Sequence, residues 1–176
     1  MVTIIIPTKN RSDFIIRFLK YYTAVKCKYN ILIGDSSDSS NLESTKLFIE
    51  EIKNKLKIEH VEYPNTNVIA CIKSLLGRVK TPYTVLCPDD DIFILNSLEK
   101  CMKFLENNPN YVAAQGQAVI FRLNSPGAYG EMVELTPYPL RGIENETAQE
   151  RLLSFLNSYI TTLYAVYRTD TWKLLI

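Results

Sequence analysis

The stretch Tyr83-Thr-Val-Leu-Cys-Pro-Asp-Asp-Asp-Ile-Phe-Ile-Leu95 (YTVLCPDDDIFIL) sets three carboxylates side by side between two apolar runs. Tyr83–Cys87 reads as a short buried strand, stopped by Pro88, with the aspartates at its carboxyl end. Adjacent like charges repel, so something must make the run tolerable. A solvated turn is one answer, because turns collect aspartate. A bound divalent cation is the other. An EF-hand is excluded, since DDDIFILNSLEK lacks the alternating Asp/Asn ligands and the central glycine.

Working outward, strands alternate with helices. Val2–Ile6, Ile31–Ile33 and Ile58–Tyr63 read as strands. Phe14, Ile15, Phe18, Leu19 and Tyr22 recur at helical spacing, and Leu47, Phe48, Ile52 and Leu56 do the same after a capping box of Ser40 with Glu43. Val68–Val79 is a third helix, broken before Thr81-Pro82. Asn96 with Glu99 is expected to cap a fourth, which stops at Asn107–Asn110. Beyond it, Tyr111–Ala114, Ala118–Arg122 and Tyr159–Tyr167 look like strands. Asn124–Gly142, rich in Pro and Gly, reads as a long loop. Thr147 with Glu150 opens one helix, and Thr169–Ile176 begins another. The pattern predicts an α/β fold with a mainly parallel sheet flanked by helices. In such sheets ligands bind at the carboxyl ends of strands. Pro7–Arg11, Asp35–Ser40 and Asp89–Asp91 all fall there.

The 176 residues suit one domain, and 47% hydrophobic content supplies a core. A net charge of +1 gives no basic field for nucleic acid. No apolar run approaches the roughly 20 residues of a membrane span, and MVTIIIPTKNR reads as a first strand and not a signal peptide. A cytoplasmic or membrane-peripheral location is expected. Cys27, Cys71, Cys87 and Cys101 form no CxxC pair and read as reduced thiols. The single histidine, His60, has no zinc-ligand company and reads as structural.

Carboxylates at a strand end suit Mn2+ or Mg2+, which take one or two carboxylates and fill the remaining positions with phosphates and water. Lys9 and Arg11 are placed to meet phosphate oxygens, or else belong to an ordinary solvated loop. Asp35 is placed to accept hydrogen bonds from a base or ribose, or else serves its own turn. GxGxxG, GxxxxGK[ST] and GxSxG are all absent, which disfavours a Rossmann dinucleotide site, a P-loop and a hydrolase elbow.

TIIIPTKNR, ILIGDSSDSS and TPYTVLCPDDD, in this order and spacing, resemble family 2 glycosyltransferases of the GT-A fold, and within them a bacterial subgroup with a YxVLxxDDDF-like motif. LEKCMKFLENNPNYVAAQG and TLYAVYRTDTW resemble the same subgroup. The resemblance implies a metal-dependent hexosyltransferase of cell-surface polysaccharide type. It would move a sugar, with inversion, from a nucleotide-diphosphate-sugar to an acceptor hydroxyl on a saccharide or lipid-linked acceptor. A UDP-sugar is the expected donor. By position, Pro7, Thr8, Lys9 and Arg11 would line the nucleotide pocket, and Asp35 would contact the base. Lys73 would face the sugar nucleotide, and Asp89 the donor sugar or ribose. Asp90, with Asp91 beside it, would hold the metal in the manner of a DXD motif. Residues 1–123 would form the nucleotide-sugar part, and 124–176 would begin the acceptor part of a single domain.

Three departures accompany the resemblance. Lys9 stands where the family often has tyrosine, Gly34 replaces the first aspartate of VDDGS, and Pro88 takes the first acidic position of DxDD. The family's base motif follows the strand matched by Tyr159–Tyr167, so a C-terminal truncation is expected and no catalytic base is assigned. Two rivals are a sugar-1-phosphate nucleotidyltransferase, which normally shows a glycine-rich loop that PTKNRSDF lacks, and a non-catalytic nucleotide-sugar-binding module.

Overall fold

A strand such as Ile4-Ile5-Ile6, apolar at every position, is stable only where both faces of its sheet are covered. The computed structural model, which describes all 176 residues, places it there. Strand β1 (Val2–Thr8) lies between β2 (Asn30–Asp35) and β4 (Tyr83–Leu86), and β3 (Lys57–Glu62) flanks β2, all parallel. Successive side chains alternate between the faces. Ile4, Ile6, Ile31, Ile33 and Val85 pack into one core with helices α1 (Ser12–Ala24), α2 (Ser39–Ile52) and α4 (Leu95–Asn107). Ile5, Leu32 and Leu86 pack into the other, against Cys71, Ile72, Leu75 and Leu76 of α3 (Val68–Arg78) and Trp172 of α6 (Thr169–Leu175). Burying each isoleucine contributes about 1.5–3 kcal/mol.

The sheet is completed in the order β3-β2-β1-β4-β8-β5, with β8 (Val166–Arg168) antiparallel to both β4 and the two-residue β5 (Ala113–Ala114). The expected strands at Tyr111–Ala114 and Tyr159–Tyr167 are therefore much shorter than their apolar patterns suggested. Arg168 anchors this edge of the sheet. Its guanidinium donates to the carbonyls of Leu105, Asn108 and Tyr111, which ties the edge to the end of α4.

Asn124–Gly142 is not a loop throughout. β7 (Met132–Tyr138) pairs antiparallel with β6 (Ala118–Leu123) in a separate hairpin that straddles residues 123 and 124. Of the prolines and glycines that suggested a loop, Pro126, Gly127 and Gly130 lie at its turn, Pro137 within β7, and Pro139 and Gly142 beyond it, while Met132–Thr136 carries strand-forming residues. Two caps also differ from expectation. α2 is capped by Asp38, whose carboxylate accepts from the Asn41 amide, and not by a Ser40–Glu43 box. α4 starts one residue before Asn96 and has no side-chain cap. The Thr147–Glu150 box does form and opens α5 (Ala148–Asn157). No helix is long and apolar enough to cross a membrane.

Candidate functional site at the carboxyl edge of the sheet

Strands that run parallel end together. Thr8 pairs in register with Asp35, β4 ends at Leu86 opposite Ile5, and the chain beyond it brings Asp89 against Thr8, so the three polar clusters converge at one edge. Hydrogen bonds join the first two. The Ser36 amide donates to the Thr8 carbonyl, the Asn10 amide to Ser37 Oγ, and the Asp38 amide to Asn10 Oδ1. Asn10 adopts φ 55°, a left-handed conformation that asparagine tolerates better than most residues.

A cavity of about 610 Å3 opens at this edge. Pro7, Thr8, Ser36 and Asp89, all at the strand ends, line it. The start of α3, from Asn67 to Ile69, contributes to the lining, as do Leu163 and Tyr164 from the segment before β8. Lys9 and Arg11 line the cavity too. A volume of this size suits a small-molecule ligand.

The aspartates divide. Asp89 is buried. Its Oδ2 accepts the Thr8 hydroxyl at 2.7 Å and its Oδ1 pairs with Arg11 Nη1 at 2.8 Å. Burial nevertheless pushes its carboxyl above the usual range, with Asp90 adding to the rise, while Thr8 and Arg11 oppose it. Asp90 is half-exposed and takes Arg11 Nη2 on Oδ2 at 2.9 Å. Asp90 and Asp91 face a second cavity of about 550 Å3, between α1 and the β6–β7 hairpin. Asp91 stands at the surface, yet neighbouring protein atoms withhold part of its water, and this together with Asp90 pushes its carboxyl up. Arg17 holds the turn from behind, donating to the carbonyls of Asp90 at 2.8 Å and Ala128 at 2.9 Å.

Two expected residues stand off the cavity. The Asp35 side chain is fully buried and absent from the lining; its neighbour Ser36, itself largely buried, lines the cavity instead. Asp35 Oδ1 accepts the Ser37 amide at 2.9 Å, and Oδ2 lies 3.0 Å from His60 Nε2. An ionised carboxylate only accepts, so Nε2 carries the hydrogen. Burial raises the Asp35 carboxyl, but hydrogen bonds from His60 and Ser37 outweigh it and hold the group below its ordinary value. Lys73 also fails to reach the cavity. On α3 the lining residues are Val68, Ile69, Cys71 and Ile72, while Lys73 is exposed to solvent.

Sequence reasoning missed Ser36, Asn67, Tyr164 and Arg17. Asn67 carried a signal, because its side chain caps α3 by accepting the Ala70 amide. Arg17 carried none, since a polar residue on an amphipathic helix reads as solvated.

Gly34 is explained by proximity. A Cβ built there would lie 2.5 Å from Cys71 Sγ and 3.0 Å from Leu75 Cδ1, so α3 packs where the family's aspartate side chain would stand.

The chain is similar in fold to several solved structures. TarS of S. aureus, residues 1–349, matches at 17% identity and a TM-score of 0.62, covering 99% of this chain and 48% of that one. The mannosyltransferase PcManGT from Pyrobaculum calidifontis, in complex with GDP-Man and Mn2+, matches at 20% identity and a TM-score of 0.52, covering 64% of this chain and 34% of that one. CMP:2-keto-3-deoxy-manno-octonic acid synthetase complexed with CTP matches at 11% identity and a TM-score of 0.53, covering 99% and 76%. The chain thus spans about half the length of the TarS structure. No curated protein matches the sequence. At these identities the likeness shows a fold common to sugar transfer and nucleotide activation, and does not choose between them. The sequence profile described as Glycosyl transferase family 2 does choose, for it matches residues 3–174. The chain belongs to glycosyl transferase family 2.

Proposed function

We propose that this chain forms the donor-binding portion of a glycosyltransferase that moves a sugar from a nucleoside-diphosphate-sugar, with UDP the expected nucleotide, to an acceptor hydroxyl with inversion. The observation that carries this reading is the cavity at the strand ends. It combines an apolar wall, two cationic side chains and a buried carboxylate within one volume. Val68, Ile69 and Ile72 give a base an apolar surface, and Ser36 and Asn67 give it polar edges. Lys9 and Arg11 are placed for phosphate oxygens. Asp89, held by the Thr8 hydroxyl, is oriented to accept from a ribose or sugar hydroxyl.

The aspartate turn fits a divalent cation of the Mn2+ or Mg2+ kind. No cluster of three or more His, Cys, Asp or Glu stands close enough to hold an ion by protein ligands alone. Asp90 uses only Oδ2 on Arg11, and Asp91 lies beside it at the surface. Such a sparse donor set suits an ion whose remaining positions are filled by phosphates and water. When bound, the ion supplies neutralisation of the charge that develops on the leaving nucleoside diphosphate. Asp90 and Asp91 would hold it, the Thr8 hydroxyl orients Asp89, and Arg17 keeps the turn backbone in place. The mannosyltransferase structure with GDP-Man and Mn2+ supports both the donor class and the metal.

The test is a thermal-shift panel of nucleotide-sugars with and without Mn2+, on the wild type and on Asp90→Ala. A ligand at 100 times its dissociation constant stabilises by about 2.7 kcal/mol. The wild type is expected to show a Mn2+-dependent shift with at least one nucleotide-sugar, and Asp90→Ala to lose it. Equal shifts in both proteins would refute the metal assignment, and no shift with any nucleotide-sugar would refute the donor reading.

A further inference from the structure

We propose that Arg11 is the resident counter-ion of the aspartate turn, and that a metal ion and a diphosphate enter the site by exchange with it. This inference rests on the donor reading above. Arg11 bridges the two carboxylates, with Nη1 on Asp89 Oδ1 at 2.8 Å and Nη2 on Asp90 Oδ2 at 2.9 Å. Its guanidinium lies 4.0 Å from the centre of the Phe14 ring, which fixes the plane of the fork. Asp89 lines the first cavity and Asp90 the second, so Arg11 sits across the ridge between them.

A guanidinium fork matches two phosphate oxygens as well as it matches two carboxylates. Arg11 already lines the donor cavity and is 39% exposed, so a diphosphate arriving there competes with the aspartates for the same donors. A divalent cation arriving alone meets a guanidinium bonded to the carboxylate it needs, and like charges at that distance repel. Diphosphate removes the obstacle by drawing Arg11 away. The turn need not collapse when Arg11 leaves, because Arg17 holds the Asp90 carbonyl and the Ala128 carbonyl independently.

Arg11 therefore acts with opposite sign on the two ligands. It weakens the binding of bare metal and strengthens the binding of diphosphate. A plain phosphate ligand would affect only the second, and a purely structural residue would support both.

The experiment compares wild type with Arg11→Gln. Bare Mn2+ binding is read by the electron paramagnetic resonance signal of free Mn2+, and metal-free binding of inorganic pyrophosphate by calorimetry in EDTA. Arg11→Gln is expected to bind Mn2+ at least about fivefold tighter and pyrophosphate at least about fivefold weaker, the low end of measured site-to-site couplings. Arg11→Lys keeps the charge but lacks the planar fork that meets two carboxylates or two phosphate oxygens side by side, and is expected to fall between. It carries the test if Arg11→Gln does not fold. Mn2+ affinity that is unchanged or weaker in the variants overturns the inference, even where Mn2+-dependent nucleotide binding by the wild type leaves the donor reading standing. Failure of the wild type to bind pyrophosphate or any nucleoside diphosphate, with or without Mn2+, overturns both.

Discussion

Gly34→Ala adds one methyl group at the end of β2, where α3 leaves no room for it. The added carbon would stand 2.5 Å from Cys71 Sγ, and 3.0 and 3.1 Å from the two Leu75 methyls. The leucine ends can rotate, but the cysteine sulfur is close to its own backbone and is buried, so α3 must shift. Overpacking of this kind costs about 1–3 kcal/mol. Losing a glycine from the unfolded chain returns about 0.4–1 kcal/mol, because Gly34 does not have a positive φ and alanine fits its backbone. The clash wins, for a net loss of about 1–2 kcal/mol. For a chain of this length that lowers Tm by about 2–8 °C. Cys71→Ala removes the obstructing atom at a cost of roughly 1 kcal/mol of buried apolar surface. The double variant is then expected to be more stable than the sum of the two single losses by about 0.5–3 kcal/mol. The assay is urea denaturation of all four proteins, followed by nucleotide affinity, because Cys71 and Ile72 also line the cavity at the strand ends. Gly34→Ala as stable as wild type, or losses that add within about 0.5 kcal/mol, would refute the account of why glycine stands here.

Two further outcomes follow from the charges at the strand ends. Asp91 has a raised carboxyl, so its ionised form works against folding; that cost is absent below the ordinary carboxylate range and appears as pH rises through the raised value. Asp91→Asn is expected to raise Tm at pH 7 by an amount worth under about 1 kcal/mol, as for other exposed charges, with the gain fading in acid; a lower Tm at pH 7 would contradict this. Asp35 is the opposite case, since its lowered carboxyl contributes stability that is complete above the ordinary carboxylate range and lost as pH falls through the folded value. Asp35→Asn is expected to cost about 1.5–3 kcal/mol at pH 7, the worth of a charged hydrogen bond, with little change in nucleotide affinity because the side chain is off the cavity; a selective loss of nucleotide binding at unchanged Tm would reverse that assignment.

The sequence alone determined the alternation of strands and helices, the parallel sheet and the convergence of three polar clusters at its edge. These are local or topological consequences. Apolar runs such as Ile4–Ile6 demand a sheet covered on both faces, and parallel strands must end together. It also reached the family, because ordered motifs survive as a linear pattern. Only the tertiary structure decided which members of each cluster enter the cavity. Asp35 and Ser36 are neighbours in sequence, but successive side chains alternate, so one turns to His60 and the other lines the cavity. Asp89 and Asp90 are neighbours too, yet a turn sends them into different cavities. Leu163 and Tyr164 reach the site only because β8 returns beside β4. Arg11 and Arg17 stand 79 and 73 positions from the aspartate they bind, a proximity that no periodicity in the chain encodes and that exists only once α1 has packed on the sheet.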